Sequence, residues 1–339
     1  MDIREVARRS GVSMATVSRA LNNRSEVSAA TREKVVRIAD ELGYRPNASA
    51  RALVRRRSDT IGLIWGTDYV HIGRRQPFLL DVLVGIKVAL DSAGAHLAIL
   101  STGGDEQDFV RAAREHTIGG VVVMGVDSAH PGVASLLSER LPSVAFDVPM
   151  LGPSARYVTS DNRGGAGAAV DHLHELGHRR IATIAGPAGM HASDERLQGF
   201  ADRAAGLGLA LGEGAVQYGD FFLQSGYDAM RRLLELPERP TGVVVQGDEM
   251  AIGALHAIAD AGLQAPRDIS IVGFDDIESA ALVRPALTTI AQDDVAIGAA
   301  ILDELRALMD RGDGEEGVPE ARLLPTSLVV RESTGPAPA

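Results

Sequence analysis

The chain has no cysteine in its 339 residues, which excludes a disulfide framework and any thiolate metal site. No run of apolar residues is long enough to span a bilayer. The first residues, Met1-Asp2-Ile3-Arg4, lack the apolar core of a secretory signal. A soluble protein that stays in the cytoplasm, with no membrane partner, is expected. Enzyme signatures are missing as well. No Gly-x-Ser-x-Gly elbow occurs. The run Asp161-Asn162-Arg163-Gly164-Gly165-Ala166-Gly167 has neither the spacing of a dinucleotide fingerprint nor the lysine of a phosphate-binding loop, so its glycines read as helix-packing positions. His174-Glu175-Leu176-Gly177-His178 has the spacing of a zinc-protease motif. Gly177 should end the helix before the second histidine, and no third ligand follows. No catalytic residue, metal or cofactor is expected.

What the chain has is a lopsided charge. The net charge is −11, yet residues 1–60 hold 13 Lys+Arg against 7 Asp+Glu, leaving 21 against 38 in the remainder. A basic head on an acidic body is the asymmetry of a modular nucleic-acid binder. At 45% hydrophobic residues the body can bury sizeable cores, and the length suits two or three domains.

The head reads as three short helices. Asp2 and Glu5 have capping-box spacing, and Gly11 stops the first helix. Ser13 caps a second, Met14 to Leu21, with Val12, Val17 and Leu21 facing inward. Ser28 caps a third, whose apolar stripe is Val35, Val36, Ile38, Ala39 and Leu42, closed by Gly43. The link Ser10-Gly11-Val12-Ser13 suits a helix-turn-helix. In that motif the second helix enters the major groove by its N-terminal residues. Met14 and Ala15 then meet bases, and Arg19, one turn on, can donate two hydrogen bonds to a guanine. Ser13, Thr16, Ser18, Ser28 and Thr31 are short hydroxyls near helix starts, suited to phosphates. Pro46 blocks the third helix, and Asn47 can cap a helix of six residues, Ala48 to Leu53, too short to be stable alone.

From Thr60 the pattern alternates β-rich runs with amphipathic helices. Strands are expected at Ile61-Trp65, Leu97-Ser101, Val121-Gly125, Val144-Asp147, Tyr157-Asp161, Ile181-Gly186, Val243-Gly247, Ile269-Asp275 and Thr288-Gln292. Helices are expected at Phe78-Ala93, Arg163-Leu176, Ser225-Leu236 and Met250-Ala261. Such alternation predicts parallel sheets covered on both faces. The strand count suits two doubly wound lobes, with a ligand crevice at the carboxyl ends of the strands.

The run Val6-Ala7-Arg8-Arg9-Ser10-Gly11-Val12-Ser13-Met14-Ala15-Thr16-Val17-Ser18-Arg19-Ala20-Leu21-Asn22, followed by Glu41-Leu42-Gly43-Tyr44-Arg45-Pro46-Asn47-Ala48, resembles the lactose-repressor (LacI/GalR) family. Asp161-Asn162-Arg163-Gly164-Gly165-Ala166, Gly247-Asp248-Glu249-Met250-Ala251, Val272-Gly273-Phe274-Asp275-Asp276 and Pro285-Ala286-Leu287-Thr288-Thr289-Ile290 resemble that family's effector domain, which is similar to periplasmic sugar-binding proteins. The likeness runs from residue 1 to about 332.

The resemblance implies an α/β protein with a small all-α helix-turn-helix head (1–45), a hinge helix and linker (46–59), and a two-lobed type I periplasmic-binding-protein-like domain (60–332). The lobes would be 60–159 plus 290–322 and 160–288 plus 323–332; the remaining tail, 333–339, is Ser, Thr, Gly, Pro and Ala and by composition is expected to be disordered. It adds Asn22, Asn47, Arg51 and Leu53 to the DNA-binding set, with Leu53 wedging a minor-groove step. It places Phe78, Asp147, Arg196, Phe221 and Asp275 in an effector cleft. Aspartates and a guanidinium suit paired sugar hydroxyls, and phenyl rings suit an apolar sugar face. For Asp275 a turn cap, and for Arg196 a surface pair with Asp194 or Glu195, are the alternatives.

Three positions depart from the family pattern. Gly247 stands where many sugar-responsive members have Asn, Gln76-Pro77-Phe78 replaces Asn-Pro-Phe, and Asp68 to Arg75 has no counterpart. The expected partners are double-stranded operator DNA, a second copy of the chain in a homodimer, and a small effector, with sugar first. The expected function is a repressor of carbohydrate uptake or catabolism genes, released by that sugar. The alternatives are a regulator activated by a corepressor or partner protein in answer to a non-sugar ligand, and a transporter's solute-binding protein.

Overall fold

The computed structural model describes residues 2–21, 26–44, 60–66, 76–101, 108–310 and 321–338. The chain forms two compact units, Met1–Asp59 and Thr60–Ala339. The expected contacts Asn22, Asn47, Arg51 and Leu53, and the stretch Asp68 to Arg75, lie outside the described residues.

The head contains α1 (Ile3–Ser10), α2 (Met14–Leu21) and α3 (Ala29–Glu41). The Asp2 side chain accepts from the Arg4 amide, but Glu5 turns to Arg8 and Arg9, so only half of the expected capping box forms. Gly11, at φ 69°, turns the chain out of α1 and lets the Gly11 and Val12 amides bond the Ala7 carbonyl. Val6, Val17 and Val35 are fully buried at the junction of the three helices, with Ile38 and Ala39 beside them. Val36 does not join them. It is 40% exposed, because positions 35, 38, 39 and 42 share one helical face and 36 lies a quarter-turn away.

The second unit is built on two six-stranded sheets, ordered β11-β5-β4-β3-β1-β2 and β12-β10-β9-β8-β6-β7. The first half of the chain supplies β1 (Thr60–Trp65), α4 (Pro77–Ala93), β2 (His96–Ile99), α5 (Phe109–Glu115), β3 (Gly120–Met124), α6 (Pro131–Ser138), β4 (Ser143–Phe146) and β5 (Ala155–Ser160). Next come α7 (Asn162–Glu175), β6 (Ile181–Ala185), α8 (His191–Gly206), β7 (Val216–Tyr218), α9 (Leu223–Leu234), β8 (Gly242–Val245), α10 (Asp248–Asp260), β9 (Ser270–Asp275), α11 (Glu278–Leu282) and β10 (Thr288–Ala291). The last elements are α12 (Asp294–Asp310), β11 (Arg322–Leu324) and β12 (Ser327–Val329).

Among the described residues every pairing between these strands is parallel except β12 on β10. Both faces of each sheet are covered. In the first lobe α4 and α12 seal one face over Leu63, Val122 and Phe146, while α5 and α6 seal the other around Phe109 and Leu136. In the second lobe α9 and α10 cover Val243 and Ile271, and α7 and α8 cover Val244 and Phe274. No described helix is long and apolar enough to cross a membrane.

The chain passes between lobes at Asp161, at Gln292–Asp293 and at Pro325–Thr326. The expected lobe limits shift accordingly. Ile290 and Ala291 pair with β9 in the second sheet, and Leu323 and Leu324 pair with β5 in the first. The expected disordered tail is also corrected. Ser333 is fully buried, and its Oγ accepts from the Thr288 amide and donates to the Ile271 carbonyl. The Gly335 amide bonds Ser270, and the Ala337 amide bonds the Leu176 carbonyl. Composition misled here because small polar residues fit a narrow groove as readily as they fit solvent.

Candidate functional site

On the head, α2 presents Met14, Ala15 and Arg19 to solvent, while Val17 and Ala20 hold it to the core. Ser13 and Thr16 sit at its start, the Thr16 amide donating to Ser13 Oγ at 3.1 Å. Ser28 and Thr31 repeat the arrangement on α3, at 3.3 Å. Both hydroxyl pairs stand at helix N-termini, where spare amides favour a phosphate. Ser18 is half-buried on α2. Arg19 is held by Glu26, Nε to Oε2 at 3.2 Å, with both side chains mostly exposed. If Arg19 reads a base as the helix-turn-helix reading expects, Glu26 competes with the DNA for it. Glu26→Gln is expected to raise affinity for specific DNA by up to about fivefold at low salt, as read by fluorescence anisotropy. An unchanged or lower affinity would show that the pair does not compete.

In the second unit one cavity is lined by all five residues expected in the cleft: Phe78, Asp147, Arg196, Phe221 and Asp275. They come from both lobes. Asp147 directly follows β4, Asp275 ends β9, Phe78 opens α4, and Arg196 lies on α8. Most non-glycine residues of positive φ are here too: Asp147 at 55°, Phe221 at 67° and Asp275 at 118°, with Asp276 next at 64°. Backbone strain of this kind persists where the surroundings impose it, often at ligand sites.

Arg196 is not a surface residue. It is 3% exposed. Its Nε donates to Asn162 Oδ1 and its Nη1 to the Gln246 carbonyl, both at 2.7 Å. Nη1 lies 3.5 Å from Asp275 Oδ1, and the guanidinium stacks 3.7 Å over the Phe274 ring. The alternative surface partners are engaged elsewhere, Glu195 with Arg163 and Asp194 with the Gly189 amide. Asp275 accepts from Gln292 Nε2 at 2.7 Å. The turn-capping role considered for it falls to buried Asp248, which accepts from the Ile277 amide and the Thr289 hydroxyl.

Burial pushes the Asp275 carboxyl up to about 7, against the pull of Arg196. Burial, then the nearness of Asp275, raises Asp248 well above the usual carboxylate range. Burial also raises Asp147, although Arg196 and the Thr159 hydroxyl favour its charge.

Phe221 rests on two glycines. A Cβ at Gly186 would come within 2.3 Å of the ring, and one at Gly247 within 3.2 Å. The missing side chain at 247 therefore makes room for the aromatic wall. Sequence reasoning missed the buried polar residues behind the cleft: Asn162, Gln246, Asp248 and Gln292. A usable signal existed, since each stands just past the carboxyl end of a strand.

His178 is fully buried. Its Nε2 lies 3.1 Å from the Gly335 carbonyl, to which it donates, and its Nδ1 lies 3.0 Å from Thr241 Oγ1. The second histidine of the apparent zinc motif is thus committed to fixing the C-terminal segment that follows β12. Among the described residues no group of three or more His, Cys, Asp or Glu is placed to hold a metal.

A helix-turn-helix head and a two-lobed α/β unit with a lined interlobe cleft define a DNA-binding regulator with a ligand-receiving body. Residues 2–47 match the model of bacterial regulatory proteins of the lacI family, and residues 170–334 match a periplasmic binding protein-like domain. The regulator CelR of Thermobifida fusca is 37% identical over 97% of this chain and 96% of its own. A solved CelR–cellobiose complex is 34% identical, covers 98% of this chain and 99% of its own, and has a TM-score of 0.72. A lac repressor dimer bound to operator and an anti-inducer is 30% identical, covers 99% of each chain, and has a TM-score of 0.82. The chain belongs to the lacI family of transcription regulators. These relatives are transcription regulators.

Proposed function

We propose that the chain acts as a dimeric repressor that grips a near-palindromic operator and is released by an uncharged sugar in the interlobe cleft. The observation that carries the reading is the pairing of buried carboxylates with helix starts around one cavity. α4, α8 and α10 begin at the cleft with no side-chain cap, unlike α1, α3 and α7. Asp147 and Asp275 offer acceptors, while first-turn amides of those helices offer donors. Groups that both donate and accept satisfy such a mixture, and sugar hydroxyls do so. Phe78 and Phe221 suit the apolar face of a sugar ring. Cellobiose, the ligand of the CelR complex, is the first candidate.

In this reading Met14, Ala15 and Arg19 read bases. Ser13, Thr16, Ser18, Ser28 and Thr31 hold phosphates, and Asn22, Asn47, Arg51 and Leu53 complete the DNA contacts. A fluorescence-anisotropy titration of the full chain against its own promoter fragment and against random duplex tests it. Preference for the promoter, weakened by cellobiose, is expected. No preference at moderate salt defeats the repressor reading, and tighter binding with ligand favours a corepressor.

A pH dependence follows from Asp275. Hydroxyls donating to its carboxylate favour the ionised form, so binding releases a proton whenever the free site holds one. Affinity for cellobiose should therefore rise with pH until about 7 and level off above it. Calorimetry near neutral pH in two buffers of unequal ionisation enthalpy should give unequal heats; equal heats would contradict the linkage.

A further inference from the structure

We infer that Gln292 is a positioning residue that couples the effector carboxylate Asp275 to the helix pair α4 and α12 of the opposite lobe. The inference rests on the proposed role of Asp275 in holding the effector. Gln292 belongs to the segment by which the chain leaves the second lobe for the first. It grips Asp275 twice. Its Nε2 donates to Asp275 Oδ1 at 2.7 Å, and its amide donates to the Asp275 carbonyl at 3.4 Å. It is 7% exposed, and its Oε1 is buried with no partner. An orphan acceptor next to the ligand-facing carboxylate marks an arrangement that a small rotation can improve.

The next residue faces the other lobe. Asp293 Oδ1 accepts from the Ala296 amide at 2.8 Å, and the Asp293 carbonyl accepts from Ile297. Asp293 thus caps α12. α12 in turn touches α4 backbone to backbone. A Cβ at Gly85 would fall 2.1 Å from the Asp294 carbonyl oxygen, and one at Gly298 would fall 2.1 Å from the Gly85 carbonyl carbon. With no side chain between them, the two helices must move as one body. The start of α4, at Gln76 to Leu79, lines the effector cavity from the far side. A closed physical circuit results, from effector through Asp275, Gln292, Asp293, α12 and α4 back to the effector. Each link within the chain is a covalent bond, a hydrogen bond or a direct contact. A hydroxyl arriving at Asp275 Oδ1 competes for the lone pair that Gln292 uses. It thereby biases the crossing segment and, through the cap, the pitch of α12.

Spatial continuity alone does not establish coupling, so the test is a double-substitution cycle. Hydrogen exchange of the first turn of α12 is measured in ligand-free full-length protein carrying Asp275→Asn, Gln292→Leu, or both. Coupling predicts that Asp275→Asn alters exchange at residues 294–298 by at least about threefold, and that most of this effect disappears with Gln292→Leu. Combining Asp275→Asn with Gln292→Glu exchanges donor and acceptor across the pair. It should return exchange toward the wild-type rate, which a merely space-filling role would not do. Strictly additive effects overturn the inference.

A second arm adds cellobiose. Wild type should lose operator affinity by about 5- to 150-fold. Gln292→Leu should still bind cellobiose by calorimetry, yet release operator less than about threefold. Full release by that variant also overturns the inference. A wild type that ignores cellobiose defeats the proposed effector, while the exchange cycle still decides the coupling.

Discussion

Arg196→Ala is expected to cost about 3–5 kcal/mol of folding stability and to abolish the response to effector. The guanidinium makes two 2.7 Å hydrogen bonds to buried acceptors, Asn162 Oδ1 and the Gln246 carbonyl. It is also the cation that opposes the burial of Asp275 and Asp147. Removing it orphans both acceptors and opens a void over Phe274. Both carboxyls then rise further, and a protonated Asp275 no longer offers a charged acceptor to a hydroxyl. Arg196→Lys keeps the charge but loses the planar fork, so an intermediate loss is expected. Urea unfolding followed by circular dichroism reads the stability, and operator release reads the function. A loss for Arg196→Ala below about 1 kcal/mol would show that the buried cluster does not depend on this cation.

Truncation after Glu332 is the second large effect. It removes the acceptor and donor of Ser333, the Gly335 groups on Ser270 and His178, and the Ala337 amide on Leu176. At least three buried groups lose partners, at about 1–3 kcal/mol each. A loss of about 3–9 kcal/mol follows, or roughly a 10 °C or greater fall in melting temperature. The sign of a pH effect is fixed as well. Burial lowers the pKa of His178 below its ordinary 6.5. As pH falls through that ordinary value, the unfolded chain takes up a proton that the folded chain refuses, so stability drops on the acid side. The truncated chain should show less of this dependence, because its His178 gains solvent, which outweighs the loss of the Gly335 carbonyl that favours the charged ring. A melting temperature within a degree or two of wild type would mean that the segment after Glu332 contributes little to the lobe.

Nine strands were legible because each is a short apolar run bounded by turn residues. β7, β11 and β12 were not, being only three residues long and half-polar at sheet edges, where no face has to be apolar. The tail was misread because its residue types carry no period, and its order comes wholly from partners distant in sequence. Val36 was misread by adding an apolar neighbour to a stripe whose geometry excluded it. In the cleft, the five residues that line the cavity were reached through family resemblance. The polar layer behind them was not read, although Asn162, Gln246 and Gln292 each stand just past a strand end, because amides at such places also suit the surface until the fold buries them. Positive φ at Asp147, Phe221 and Asp275 left no trace in the sequence either, because tertiary contacts impose those conformations on residues that do not favour them.

The three crossing segments have a mechanical consequence. The Asp161 amide bonds the Leu324 carbonyl, and the Thr326 hydroxyl bonds the Asp161 carbonyl, so the first and third crossings are laced together. Three parallel tethers, two of them knotted, resist sliding and twisting much more than they resist bending about the line that joins them. The lobes are therefore left with little but a clamshell rotation about that line.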